Sequence, residues 1–114
     1  MVLCLALMLE EHQGAYIEAA RYYKRFYFCA RLLEETEACA LAINRLGVIY
    51  FKLNYFNRSL RYHLTHLQLS CEEDLFVSHY NIGVSLRGFK RYKKAVDRFI
   101  IALDFANRYS DLEQ

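Results

Sequence analysis

Residues 46–66 read LGVIYFKLNYFNRSLRYHLTH and residues 82–102 read IGVSLRGFKRYKKAVDRFIIA, two stretches of equal length whose starts lie 36 residues apart. Superposed, Leu46 and Gly47 fall on Ile82 and Gly83, Tyr50 on Leu86, Phe56 on Tyr92, Ser59 on Ala95, His63 on Phe99 and His66 on Ala102. The second half occurs a third time, because Tyr16, Ala19, Tyr23 and Phe26 keep the same offsets 40 residues before Phe56. A repeat of this length marks stacked supersecondary units. Such units bury their apolar faces only against each other, and so build an extended surface on which other chains dock. The pattern therefore points to binding rather than to chemistry.

Composition agrees with helices. The 114-residue chain is 55% hydrophobic and 16% aromatic, enough to build a core, and has four Gly and no Pro, too few turn residues for an all-β domain of that size. A formal net charge of +2 is too small to imply nucleic acid or a membrane surface. Cys4, Cys29, Cys39 and Cys71 include no Cys-x-x-Cys pair and accompany no secretory signal, so free thiols in a cytoplasmic setting are expected. The apolar opening, residues 1–9, lacks a basic leader and a small-residue cleavage site and falls far short of the roughly 20 residues of a membrane span. It reads as a buried helix.

Apolar spacing predicts six helices. The first covers about 2–12 and closes at Gly14, the second 17–35, the third 37–53 with Asn54 as its turn, and the fourth 57–71 from an Asn57 cap. The fifth covers 75–88 behind the acidic Glu72, Glu73 and Asp74, and the sixth 92–109. Ser110 and Asp111 look like the cap of a seventh helix. Glu34, Glu35 and Glu37 oppose the macrodipole at the end of the second helix, which predicts fraying there. Short connections make neighbours antiparallel, giving three hairpins at about 1–36, 37–73 and 74–109. The first helix is apolar, and the last hairpin leaves Phe99, Leu103 and Phe105 uncovered. Arrays of this kind need polar terminal units, which leads to the expectation of a piece of a longer array or of self-association through the ends.

The residues resemble tetratricopeptide repeats, whose first helix carries Leu-Gly-x-x-Tyr and whose second carries an aromatic, an Ala, an aromatic and an Ala. The third hairpin matches through Ile82, Gly83, Leu86, Tyr92, Ala95, Phe99 and Ala102. The second matches through Leu46, Gly47, Tyr50, Phe56 and Tyr62, with Ser59, His63 and His66 as substitutions, and the first only in its second helix. The long spacing, with Asn44 to Gly47 and Ser59 to Leu64, is similar to the long-repeat subgroup that includes G-protein signalling modulators and ciliary scaffolds. The resemblance implies a right-handed α-solenoid, and a concave face lined by the first helix of each hairpin that holds a partner peptide or helix. Carried onto this sequence, that face comprises Leu41, Asn44, Arg45, Val48, Phe51 and Lys52, followed by Val77, Tyr80, Asn81, Val84 and Arg87. The family's chaperone-tail clamp holds a terminal carboxylate with Lys, Asn and Arg. Asn81 and Arg45 match two of its positions, but Val48 and Val84 stand where it uses Asn, so clamp-type recognition is not expected. Gly47 and Gly83 are expected to let the partner helix approach, with Ser59 and Ala95 the small residues facing them.

Other chemistries find less support. His63, His66 and His79, with Cys71, invite a zinc reading if stacking brings them together, but His63 and His66 fall on the packing positions of Phe99 and Ala102. Satisfied interface histidines are the expectation, with no metal and no cofactor, and a cluster buried neutral would lose stability in acid. No phosphate loop, nucleophile elbow or His-Glu-x-x-His is present, and Glu10, Glu11 and His12 point in different directions on a helix, so no enzyme is expected. Lys90, Arg91, Lys93 and Lys94, flanked by Arg87 and Arg98 and interleaved with Phe89 and Tyr92, form a basic edge opposite the Glu-rich hairpin ends. That edge reads first as a solvated surface and offers an acidic protein segment or RNA as alternative partners, as the apolar ends offer a structural role in a large assembly. The principal expectation is a scaffold for another protein.

Overall fold

The computed structural model describes residues 15–113. They form five α-helices: α1 (Tyr16–Leu32), α2 (Thr36–Lys52), α3 (Phe56–Leu69), α4 (Leu75–Gly88) and α5 (Tyr92–Glu113), with a 3-10 turn at Glu72–Asp74 leading into α4. No strand occurs among the described residues. Each helix packs on the next in sequence, and α2 also touches α4. The predicted helix at 2–12, its Gly14 end, Cys4 and the Glu10, Glu11 and His12 cluster lie outside the described residues.

Three connections share one backbone device. After α1, α2 and α4 the chain turns through a left-handed residue, Glu34 (φ 55), Asn54 (φ 66) and Lys90 (φ 62). At each, the N–H of the left-handed residue reaches back to a carbonyl three residues earlier (Arg31, Phe51, Arg87), and the next N–H reaches five back (Ala30, Tyr50, Leu86). These paired bonds satisfy the carbonyls that a helix end leaves orphaned. The turn at Asn54 therefore forms as the sequence predicts. Asn57, however, does not cap α3: Tyr55 holds the N-cap position with no side-chain bond, because the helix begins as soon as the turn at Asn54 is complete. At Glu34 the chain stops α1 at Leu32, three residues short of the predicted end. Glu37 does not lie at the end of α1 but in the first turn of α2, where a carboxylate is favourable.

α3 ends differently. Ser70 leaves the helix in extended conformation, its hydroxyl donating to the His66 carbonyl at 2.6 Å, so α3 stops two residues before the predicted Cys71. Ser110 and Asp111 start no new helix, since α5 runs unbroken through them to Glu113.

Two core clusters follow from the repeat. Ala19, Ala20 and Tyr23 of α1 bury themselves against Leu46, Ile49 and Tyr50 of α2. Ile82 and Leu86 of α4 and Ala95 of α5 form the second, with Leu60 and Leu67 of α3 packed on it. Glycine sets the spacing within the hairpins. A Cβ on Gly47 would lie 2.5 Å from the His63 ring, and one on Gly83 would lie 2.6 Å from the Phe99 ring. Each ring is thus seated on a glycine of the paired helix. A third such contact joins hairpins, because a Cβ on Gly88 would meet the Phe56 ring at 2.6 Å.

Gly83→Ala is expected to cost about 1–3 kcal/mol by driving a methyl group into the Phe99 ring. Lys90→Gly is expected to stabilise by about 1 kcal/mol by relieving a left-handed non-glycine residue. Urea denaturation of both variants checks the pair: opposite shifts in midpoint are predicted, and equal midpoints would contradict the packing and turn assignments.

Candidate protein-binding face

The first helices of the second and third hairpins, α2 and α4, lie side by side, and Asn81 Nδ2 donates to Asn44 Oδ1 at 2.8 Å across them. Around this bridge the residues expected on one face divide by exposure. Asn44, Arg45, Val48, Phe51, Val77, Asn81 and Val84 are half-buried, whereas Leu41, Lys52, Tyr80 and Arg87 are exposed. Arg45 is partly desolvated, which lowers the pKa of its guanidinium.

Two of the expected face residues also serve the fold. The Phe51 ring packs on Phe56 at 5.1 Å between centroids, closing the α2–α3 turn. Tyr80 leans on Phe76 at 6.1 Å and on Phe99 at 5.6 Å, yet stays 48% exposed, so a rigid aromatic ring is offered to solvent. Such rings lose little entropy on binding and are frequent hot spots.

Charge is graded along the two helices. Glu37 sits in the first turn of α2, and Glu73 and Asp74 precede α4; Lys52 and Arg87 occupy the last turns. Between the acidic ends opens a cleft of about 670 Å³ lined in part by Leu41, Asn44 and Val77, so three of the expected face residues share one concavity. The sequence alone gave no sign of this cleft, whose walls come from α2, the end of α3 and the start of α4.

The basic edge surrounds the α4–α5 turn. Lys90, Arg91, Lys93 and Lys94 are exposed, and none of them joins an ion pair among the described residues. Arg91 lies over the Phe89 ring at 5.9 Å, and Tyr92 is 60% exposed. Arg98 is not part of this edge, because it turns toward His79 Nδ1 at 3.2 Å.

The histidines do not converge. His79 stacks on Phe105 at 5.7 Å between centroids, facing α5 instead of joining His63 and His66. His66 is buried and bonds Ser78 Oγ through Nδ1 at 3.1 Å; Ser78 Oγ also donates to the Asp74 carbonyl at 3.0 Å and meets Ser70 Oγ at 2.5 Å. His63 is buried on Gly47, and its Nδ1 makes no hydrogen bond among the described residues, so only one of the two interface histidines is satisfied. No group of three His, Cys, Asp or Glu among the described residues is placed to hold a metal ion. Cys29, Cys39 and Cys71 are free thiols. Serine completes the polar core: Ser59 Oγ donates to the Gly47 carbonyl at 2.7 Å and meets Ser85 Oγ at 2.9 Å, tying α2, α3 and α4 together.

No protein-family model matches the sequence, and a search of curated proteins gives no significant match. No helix among the described residues is long and apolar enough to cross a membrane.

Burial, with His66 and Arg45 adding to it, holds the His63 pKa down to about 4 from 6.5. The unfolded chain takes up this proton below about pH 6.5 and the folded chain only near pH 4. Stability therefore keeps its full value above pH 6.5 and falls as pH drops through that window, at about 1.4 kcal/mol per pH unit, because protonation is penalised only in the folded chain. Burial lowers His66 and His79 as well, with the same sign. Thermal melts are expected to show a lower midpoint at pH 5.5 than at 7.5, and His63→Phe, which copies the Phe99 contact, is expected to shrink the difference. A variant with the full acid shift would contradict the assignment to His63.

Proposed function

We propose that this chain is a right-handed α-solenoid of tetratricopeptide-like hairpins that acts as a scaffold, holding a peptide or helix of a partner protein along the α2/α4 face. The Asn44–Asn81 bridge carries the reading, because it makes two helices from different hairpins one continuous surface. Along that surface lie a half-exposed Tyr80, an exposed Arg87 and an open cleft. Aromatic and Arg side chains of this kind supply most of the energy at protein interfaces. The partner is a protein; neither a cofactor nor a catalysed reaction enters the proposal.

A second reading rests on α5. Val96, Ile100 and Leu103 are 52%, 59% and 59% exposed, and they fall 36 residues after Leu60, Leu64 and Leu67. Leu60 and Leu67 are partly buried against α4 and α5. A helix resembling α4 would cover the α5 stripe in the same way, which favours a structural role in which this face stacks in an assembly. Gel filtration over a range of concentrations separates this role from a monomeric scaffold.

Tyr80→Ala/Arg87→Ala is expected to weaken partner binding at least tenfold, about 1.4 kcal/mol, while the helical circular dichroism signal persists. Capture from a cell extract on the immobilised chain, followed by calorimetric titration of the captured partner, checks this. Equal retention by both forms would remove the α2/α4 face from the interface.

A further inference from the structure

The cleft between the starts of α2 and α4 has its own chemistry. Leu41, Leu69 and Val77 line it as apolar surface, and Glu37, Glu73 and Asp74 line it as carboxylates. All three carboxylate residues are exposed, and none joins an ion pair among the described residues. Asp74 is steadied from within, its Oδ2 accepting from the Cys71 thiol at 3.4 Å. At about 670 Å³ the cleft lies in the range of roughly 300–1,000 Å³ usual for pockets that bury a drug-sized ligand.

We propose that this cleft selects a peptide segment bearing an Arg or Lys next to a branched aliphatic residue. The inference rests on the α2/α4 face being the partner-binding surface, and it names the chemistry that the acidic end of that face would take. The aliphatic side chain covers Leu41 and Val77, and the cation reaches the carboxylates. These groups are not gathered closely enough to hold a metal ion, whereas a flexible cationic side chain samples several carboxylates in turn. An acidic segment meets like charge here, and residues 1–14 of this chain, with Glu10 and Glu11 and no Lys or Arg, are a poor complement on the same ground. At the opposite end Lys52 and Arg87 place positive charge, so a bound segment with its basic end in the cleft and acidic residues further on would be held in one direction. The 17-residue α2 separates the two ends by roughly 24 Å at about 1.5 Å per residue.

The test is selection of random 12-residue peptides displayed on phage against the immobilised full chain. Fluorescence anisotropy of the selected peptides then compares the native chain, Glu37→Gln/Glu73→Gln and Tyr80→Ala/Arg87→Ala. Enrichment of Arg or Lys beside Leu, Ile or Val is expected, with Kd rising at least tenfold in the Gln variant and rising with salt in the native chain. Peptides that need Tyr80 and Arg87 but are acidic, or that bind the Gln variant equally, would overturn the cleft proposal and leave the face standing. Peptides indifferent to both variants, or no enriched peptide at all, would overturn both. Salt-sensitive self-association of the native chain, abolished in the Gln variant, would put the basic turn of a second copy in the cleft and overturn the peptide assignment.

Discussion

A ring seated on a glycine is the contact on which the rest of the structure depends. Each of the two hairpins described in full closes at a point where one helix has no side chain and the other presents a flat ring, His63 on Gly47 and Phe99 on Gly83. That approach brings backbone within reach of side chains that otherwise would not meet it. Ser59 consequently bonds the Gly47 carbonyl and the Ser85 hydroxyl at once, so the same close packing that forms one hairpin ties it to the next. Phe56 on Gly88 repeats the device between hairpins. The cost is borne at His63, where an imidazole does the work of a phenyl ring and buries a nitrogen with no hydrogen-bond partner among the described residues.

The face that follows from this packing is a by-product of the hairpins' order. Because each helix lies on its sequence neighbour, α2 and α4 come together on one side, and Asn44 and Asn81 join them. Their shared direction aligns the acidic starts at one end and the basic finishes at the other. A surface with that gradient discriminates by charge as well as by shape, and long-range charge governs encounter and register more than raw affinity.

Much of this was legible in the sequence for a physical reason: the packing that holds the hairpins demands small and large residues at fixed offsets, and those offsets are visible without coordinates. The pairing of His63 with Phe99 correctly placed an imidazole in a packing position. Other features left no such mark. Glu34 and Lys90 adopt the left-handed turn conformation that Asn54 announces, but neither residue type signals it. Ser59 was legible as a small residue, but the roles of Ser70, Ser78 and Ser85 were not, because a serine reads equally well as cap, turn or surface. His79 was misplaced because the side of α4 it occupies is set by helix rotation, which turns it toward Phe105. The cleft escaped notice because no single segment builds it.

The central claim is that two helices from successive hairpins form one continuous face. Nuclear Overhauser contacts of the Asn81 side-chain amide test it most directly. Cross-peaks from the Asn81 Nδ2 protons to the β protons of Asn44, together with cross-peaks from the Gly83 α protons to the Phe99 ring, are the predicted result. An Asn81 amide that contacts only residues of its own helix, while the Gly83 contact persists, would show intact hairpins without a shared face and would contradict the account.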